Sequence, residues 1–287
     1  MFASIPIQLL TEWNLDPSIF LGTALLGGVY LYGVGPLRRR YGWAPEVKRR
    51  QVVAFLVGTS IMFLALVSPL DELGDEYLFS AHMVQHLLIT VIAPPLWLLG
   101  TPGWLLQPLL KQPIIKRSLQ ILTKPPVAFF LFNGIFALWH LPVLYNLTLT
   151  NENIHILEHL MFMSTAVLNW WPILSPLPDE LPRLPYGSQI LYLFANCQVM
   201  VGLGALLLFI GQPLYIPYLA APRLFGLSAA DDQTVGALIM WIPGTIVYLI
   251  VMTFAFYSWF EQHEGEEDFL EEKTASTEQP HAAGQPL

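Results

Sequence analysis

The sequence predicts an all-α, polytopic membrane protein with about seven transmembrane helices, its N-terminus outside and its C-terminus in the cytoplasm. Three observations predict this. Of 287 residues, 54% are hydrophobic and only 12% are charged, about half the charged share of a soluble domain. The apolar residues come in long blocks of about 20, enough to cross a bilayer, rather than at amphipathic spacing. Every Lys and Arg except Arg223 falls on one side of a seven-span arrangement, and that side is the cytoplasmic one.

The expected spans are about 18–36, 51–69, 77–99, 125–144, 153–174, 188–211 and 232–259. The first has no basic, apolar, small-residue signal pattern before it and reads as a retained helix. The second follows Lys48-Arg49-Arg50 and ends at Ser68-Pro69. The third starts near Tyr77 and is expected to stop around Pro94-Pro95 or shortly after. The fourth opens at Pro125-Pro126, which suits a helix start, and has Pro142 near its other end. Asn151 is a suitable N-cap for the fifth, with Glu152 in its first turn. The seventh follows Asp231-Asp232 and contains Pro243-Gly244, where a kink is expected. Residues 1–260 thus read as one transmembrane domain. The acidic, then Ala/Thr/Gln/Pro-rich stretch 261–287 reads as a disordered cytoplasmic tail.

Composition also narrows the function. A net charge of −8 argues against a nucleic-acid partner, which would need a basic patch. Cys197 is the single cysteine, so no intramolecular disulfide is available. No hydrolase constellation and no phosphate-cradling glycine loop stands out, and the chain is not expected to be an enzyme. Gly202 and Gly204 read as a close-packing pair.

The histidines carry more. His263 and His281 lie in the tail, whereas His82, His86, His140, His155 and His159 fall within spans three, four and five. Imidazole inside a bilayer is costly and usually faces a bundle interior or a site. The alternating direction of the spans brings all five to the outer end. At roughly 1.5 Å of rise per residue they share a layer about two turns deep. His82/His86 and His155/His159 are both i,i+4 pairs, so each pair shares a helix face and can hold one metal ion. Copper, zinc and iron all accept imidazole. A lone membrane histidine is as readily a hydrogen-bonded packing residue; five sorted to one end are harder to read that way. Met83, Met161, Met163, Cys197 and Met200 read as packing residues first and soft ligands second.

Among the carboxylates, Asp71, Glu72, Asp75 and Glu76 read as a solvated outer loop that raises local cation concentration. Asp231 and Asp232 read most simply as helix caps. Glu158 either orients a ligand imidazole or faces the headgroups.

Ser68-Pro69-Leu70-Asp71 followed by His82-Met83-Val84-Gln85-His86 resembles the opening motifs of the multi-spanning CtaG family of bacterial cytochrome c oxidase assembly factors. Trp139-His140-Leu141-Pro142 with Tyr145, then Glu158-His159, then Asp232-Gln233 with Gly236, Met240-Trp241 and Pro243, resemble its later motifs. The resemblance covers about residues 18–260. It implies a non-enzymatic helper in building a haem-copper oxidase, acting around copper, in the cell (cytoplasmic) membrane. The implied partners are oxidase subunits or other assembly factors, and the lipid bilayer. His82, His86, His140 and His159 match motif positions, and Asp232 matches a motif acid, which makes it a further metal candidate. His155 rests on spacing alone. A Cys-x-x-x-Cys pair like that of thioredoxin-like copper chaperones is absent, which favours imidazole over thiolate ligation.

The first expectation is therefore an assembly factor that binds or delivers copper through a histidine cluster at the extracytoplasmic side. The alternative is a b-type cytochrome with bis-histidine haem. The third is a copper or other cation transporter, whose site would lie near the midplane, where the chain offers Asn196, Cys197, Gln198 and Met200.

Overall fold

The computed structural model describes residues 11–277, with side chains through Glu264. Its helices are α1 (Pro17–Tyr41), α2 (Arg49–Val67), α3 (Pro69–Glu72), α4 (Phe79–Gly100), α5 (Gly103–Leu110), α6 (Pro113–Leu122), α7 (Pro125–Trp139), α8 (Pro142–Thr148), α9 (Glu152–Leu174), α10 (Tyr186–Phe209), α11 (Ile216–Ala220) and α12 (Ala229–Thr277). No strand occurs among the described residues. Helix α4 runs through the middle and packs on α2, α9 and α12, while α10 lies along α12 and α7 along α9.

Five helices (α1, α2, α4, α10 and α12) are long and apolar enough to cross a membrane, or six if α6 and α7, bent by 73°, are one span. The helix missing from the expected seven is α9. His155, Glu158, His159 and Asn169 dilute its hydropathy, and all four are turned inward to some degree. Outward-facing Leu21, Leu25, Phe130, Leu191, Phe209 and Phe254 are exposed, an apolar surface far larger than a water-facing monomer carries.

Local chemistry sets the ends. Asp16 accepts from Ser18 N at 2.7 Å and Pro17 opens α1. Ser68, extended before Pro69, closes α2. Asn151 accepts from Asn153 N and Ile154 N at the start of α9.

Helix α4 starts at Phe79 and ends at Gly100, close to the expected 77–99, and so runs past Pro94-Pro95. It passes them through a π turn, Leu88–Ile92, which loosens the ladder ahead of the prolines. Neither proline can donate, and the carbonyl of Thr90 instead accepts from Trp170 Nε1 at 3.2 Å. Two expectations are corrected. The fourth span ends at Trp139 rather than about 144. Leu141 is extended ahead of Pro142, so His140 sits in the turn between α7 and α8. The acidic stretch after Phe260 is helical to Thr277, where disorder was expected. Its Glu, Ala, Lys and Gln residues are good helix formers, and they extend a helix already nucleated by the span. Residues 278–287, with His281, lie outside the described residues.

The middle of the bundle is tied by amides. Asn196 Oδ1 accepts from Asn133 Nδ2 at 2.8 Å and from Asn169 Nδ2 at 3.0 Å, while Tyr192 OH donates to Asn169 Oδ1 at 2.6 Å. This joins α7, α9 and α10 through side-chain hydrogen bonds in an apolar setting.

Candidate metal centre

Helical spacing does the first part of the assembly. On α4 the rings of His82 and His86 lie 4.1 Å apart, and on α9 those of His155 and His159 lie 4.2 Å apart. Packing of α4 on α9 then brings the pairs together, with His82 stacked on His155 at 5.4 Å and His86 edge-on to His159 at 5.5 Å. His140 reaches in from the α7–α8 turn, 6.5 Å from His86. All five predicted imidazoles share one site, and His82, His86, His140 and His159 are buried.

The donor atoms of His82, His155 and His159 lie within 4.8 Å of one another, and so do those of His82, His86 and Glu158. Around a tetrahedral ion with bonds near 2.0–2.1 Å, donors sit about 3.4 Å apart, so small side-chain rotations would close either set. Both nitrogens of His82 and His86, Nε2 of His140, His155 and His159, and both oxygens of Glu158 are buried without a hydrogen bond. Buried polar atoms are ordinarily paired, so this many orphans converging on one point fits a metal ion. His140 Nδ1 donates to the carbonyl of Phe136 at 2.7 Å, because a carbonyl can only accept. That bond leaves Nε2 as the free lone pair, the usual second contact of a ligating imidazole.

Asp75 holds the pairs from the loop side. Its Oδ2 lies 3.2 Å from His155 Nδ1, and its Oδ1 lies 3.4 Å from His82 Nδ1, the latter too poorly aligned to count as a hydrogen bond. Burial pushes the Asp75 carboxyl up, but the rings of His155 and His82 outweigh it and hold it well below the usual carboxylate range. Asp71 is not in a solvated loop, as was expected, but buried. It accepts from Asn14 Nδ2 at 2.7 Å and from Gln85 Nε2 at 2.6 Å. Burial and the nearby Asp75 charge nevertheless raise its carboxyl to about 6.

A tyrosine roof closes this end of the bundle. Tyr145 lies 5.3 Å from His82, Tyr215 OH donates to the carbonyl of His140 at 3.0 Å, and Tyr218 OH donates to that of Gly74 at 2.6 Å. Access is from the side instead. A cavity of about 480 Å³ is lined by Asp71, Asp75, Glu152, His155 and His159, and by Met62 and Met163 deeper in.

Asp232, expected among the metal candidates, has a different task. Its carboxylate accepts from the backbone N–H groups of Phe79 (2.7 Å) and Ser80 (3.3 Å) and from the Ser80 hydroxyl. It caps α4 from α12, and the donors that need satisfying there are the free N–H groups of a helix start. Cys197 lies 3.6 Å from Thr245 Oγ1, away from the cluster, and Met83 and Met200 are packed in the core. Sequence reasoning undervalued Glu158 and Asp75. For Glu158 a signal existed: it follows His155 by three positions and precedes His159, so all three share one helix face. Asp75 carried none, since a π turn brings it over the cluster.

Fold and site define a polytopic helical membrane protein with a histidine–carboxylate cluster buried toward one end of its bundle. The chain matches the family model for the cytochrome c oxidase caa3 assembly factor (Caa3_CtaG) over residues 28–262, and it belongs to that family. It is also 24% identical over 272 residues to an uncharacterized protein of Mycobacterium leprae, covering 89% of this chain and 40% of the relative. A similar uncharacterized protein of Mycobacterium bovis is 24% identical over 291 residues, covering 96% of this chain and 42% of the relative. The chain thus spans about two fifths of the length of these curated relatives. No solved structure matches it.

Proposed function

We propose that this cytochrome c oxidase assembly factor binds copper at the histidine cluster and passes it to a haem-copper oxidase at the extracytoplasmic face of the cell membrane. The observation that carries the reading is the convergence of buried, unpartnered imidazole nitrogens from two helices and the α7–α8 turn with the carboxylate of Glu158. Imidazole with a carboxylate suits a copper ion, and the acidic lip of the cavity at Asp71, Asp75 and Glu152 favours cations approaching it.

The orientation is part of the proposal: seven spans with α9 counted, N-terminus outside, C-terminus in the cytoplasm. Its support is that the basic segments gather at the other end, where Lys48, Arg50 and Arg183 line a second cavity of about 500 Å³ with Thr101 and Gly103. Partners on this reading are oxidase subunits and other assembly factors.

Haem and transport rank lower. A haem iron leaves two protein ligands, on opposite faces of a macrocycle, whereas here three donors converge on one point twice over. Of the mid-bundle residues that would serve a transport site, Asn196 is already engaged by Asn133 and Asn169, and Met200 is packed in the core.

The test is the oxidase itself. In cells lacking the factor, the purified oxidase should be depleted in copper relative to haem and poorly active. Wild-type factor should restore both, and a His82→Ala/His86→Ala factor present at equal level should restore neither. Full restoration by the double variant would remove the cluster from the function.

A further inference from the structure

Resting on that copper reading, we infer that the cluster is two adjacent metal positions sharing His82: an outer one formed by His82, His155 and His159, and an inner one formed by His82, His86 and Glu158. The copper enters at the outer position and moves to the inner one.

The two sets of donors each converge within 4.8 Å. Access separates them. The lateral cavity is lined by His155 and His159, with Asp75 beside them. His82 and Glu158, each 0% exposed, and His86, 2% exposed, stand behind that wall under the tyrosine roof. An ion arriving through the cavity therefore meets the outer donors first.

Charge separates them too. The outer set is three imidazoles. The inner set contains a carboxyl group with both oxygens buried and without a hydrogen bond, a group that is costly to ionise there unless a cation stands beside it. The inner position thus has the stronger need for a positive ion. The step between them exchanges His155 and His159 for His86 and Glu158 while His82 stays bound, so the ion is never stripped of ligands in a low-dielectric interior. His82 is equipped for this, since both of its ring nitrogens are buried and lack a hydrogen bond. No electron is transferred in the step.

The test is Cu(II) alone added to the purified full-length protein in detergent, followed by electron paramagnetic resonance. Wild type should give two Cu(II) components. Glu158→Gln, which keeps size and shape, should remove the inner component and leave the outer. His155→Ala should do the reverse, and His82→Ala should remove both. An unchanged spectrum in Glu158→Gln, or a single component lost alike in Glu158→Gln and His155→Ala, overturns the two-position inference and leaves the copper reading standing. Absence of any bound copper in wild type overturns both.

Discussion

Asp75 touches two imidazoles from two helices, and its part is to orient them. Such partners of ligating histidines typically cost 10–100-fold in metal affinity when removed. Asp75→Asn should therefore weaken Cu(II) binding by about that factor in a competition titration; unchanged affinity would make Asp75 a bystander. Asp71 titrates instead with the fold. Its folded-state carboxyl is raised to about 6 above an ordinary value near 3.9, so its contribution to stability is present below the ordinary value and lost as pH rises through 6. Relative to Asp71→Asn, wild type should lose about 1 kcal/mol between pH 5 and pH 7, read from thermal midpoints in detergent. A gap that widens in the opposite sense would contradict the burial argument. At this scale the histidines were legible in the sequence because i,i+4 spacing is local. Asp71 and Asp75 were not, because their contacts are with Asn14 and with rings of α4 and α9.

The elements meet where side chains are smallest. A Cβ at Gly236 would lie 2.3 Å from the Phe79 ring and 3.2 Å from Ser80 Cα, so α12 approaches α4 closely only with glycine there. The same approach lets Asp232 reach Phe79 N and Ser80 N. Gly236→Val should push the helices apart, uncap α4 and lower stability by about 1–3 kcal/mol, seen as a lower thermal midpoint. No change would mean the contact tolerates repacking. Most spans were legible from their apolar blocks, and their starts from Pro, Asp and Asn caps. What stayed hidden were the π turn and the Trp170 donor by which α4 accommodates Pro94-Pro95, and the break at His140. The role of Asp232 as a cap had been weighed as the simpler account, but its target is a different helix, and no local pattern names that.

Across the whole molecule, the histidine centre sits by the start of α4, and Lys48, Arg50 and Arg183 gather by its end with Leu98 and Thr101. Cys197 is the single cysteine and is buried, so it gives a quiet background for labelling. In intact cells a membrane-impermeant maleimide should label Ser228→Cys and spare Lys116→Cys; the reverse pattern would invert the proposed topology. Spacing does not name a metal, because imidazole takes several; copper belongs to the proposal. The most direct measurement is the copper content of purified full-length protein after loading and desalting, compared between wild type and His82→Ala/His86→Ala. Copper retained by wild type and lost from an equally well-folded double variant is the predicted result. Equal copper in both, or none in wild type, would contradict the account.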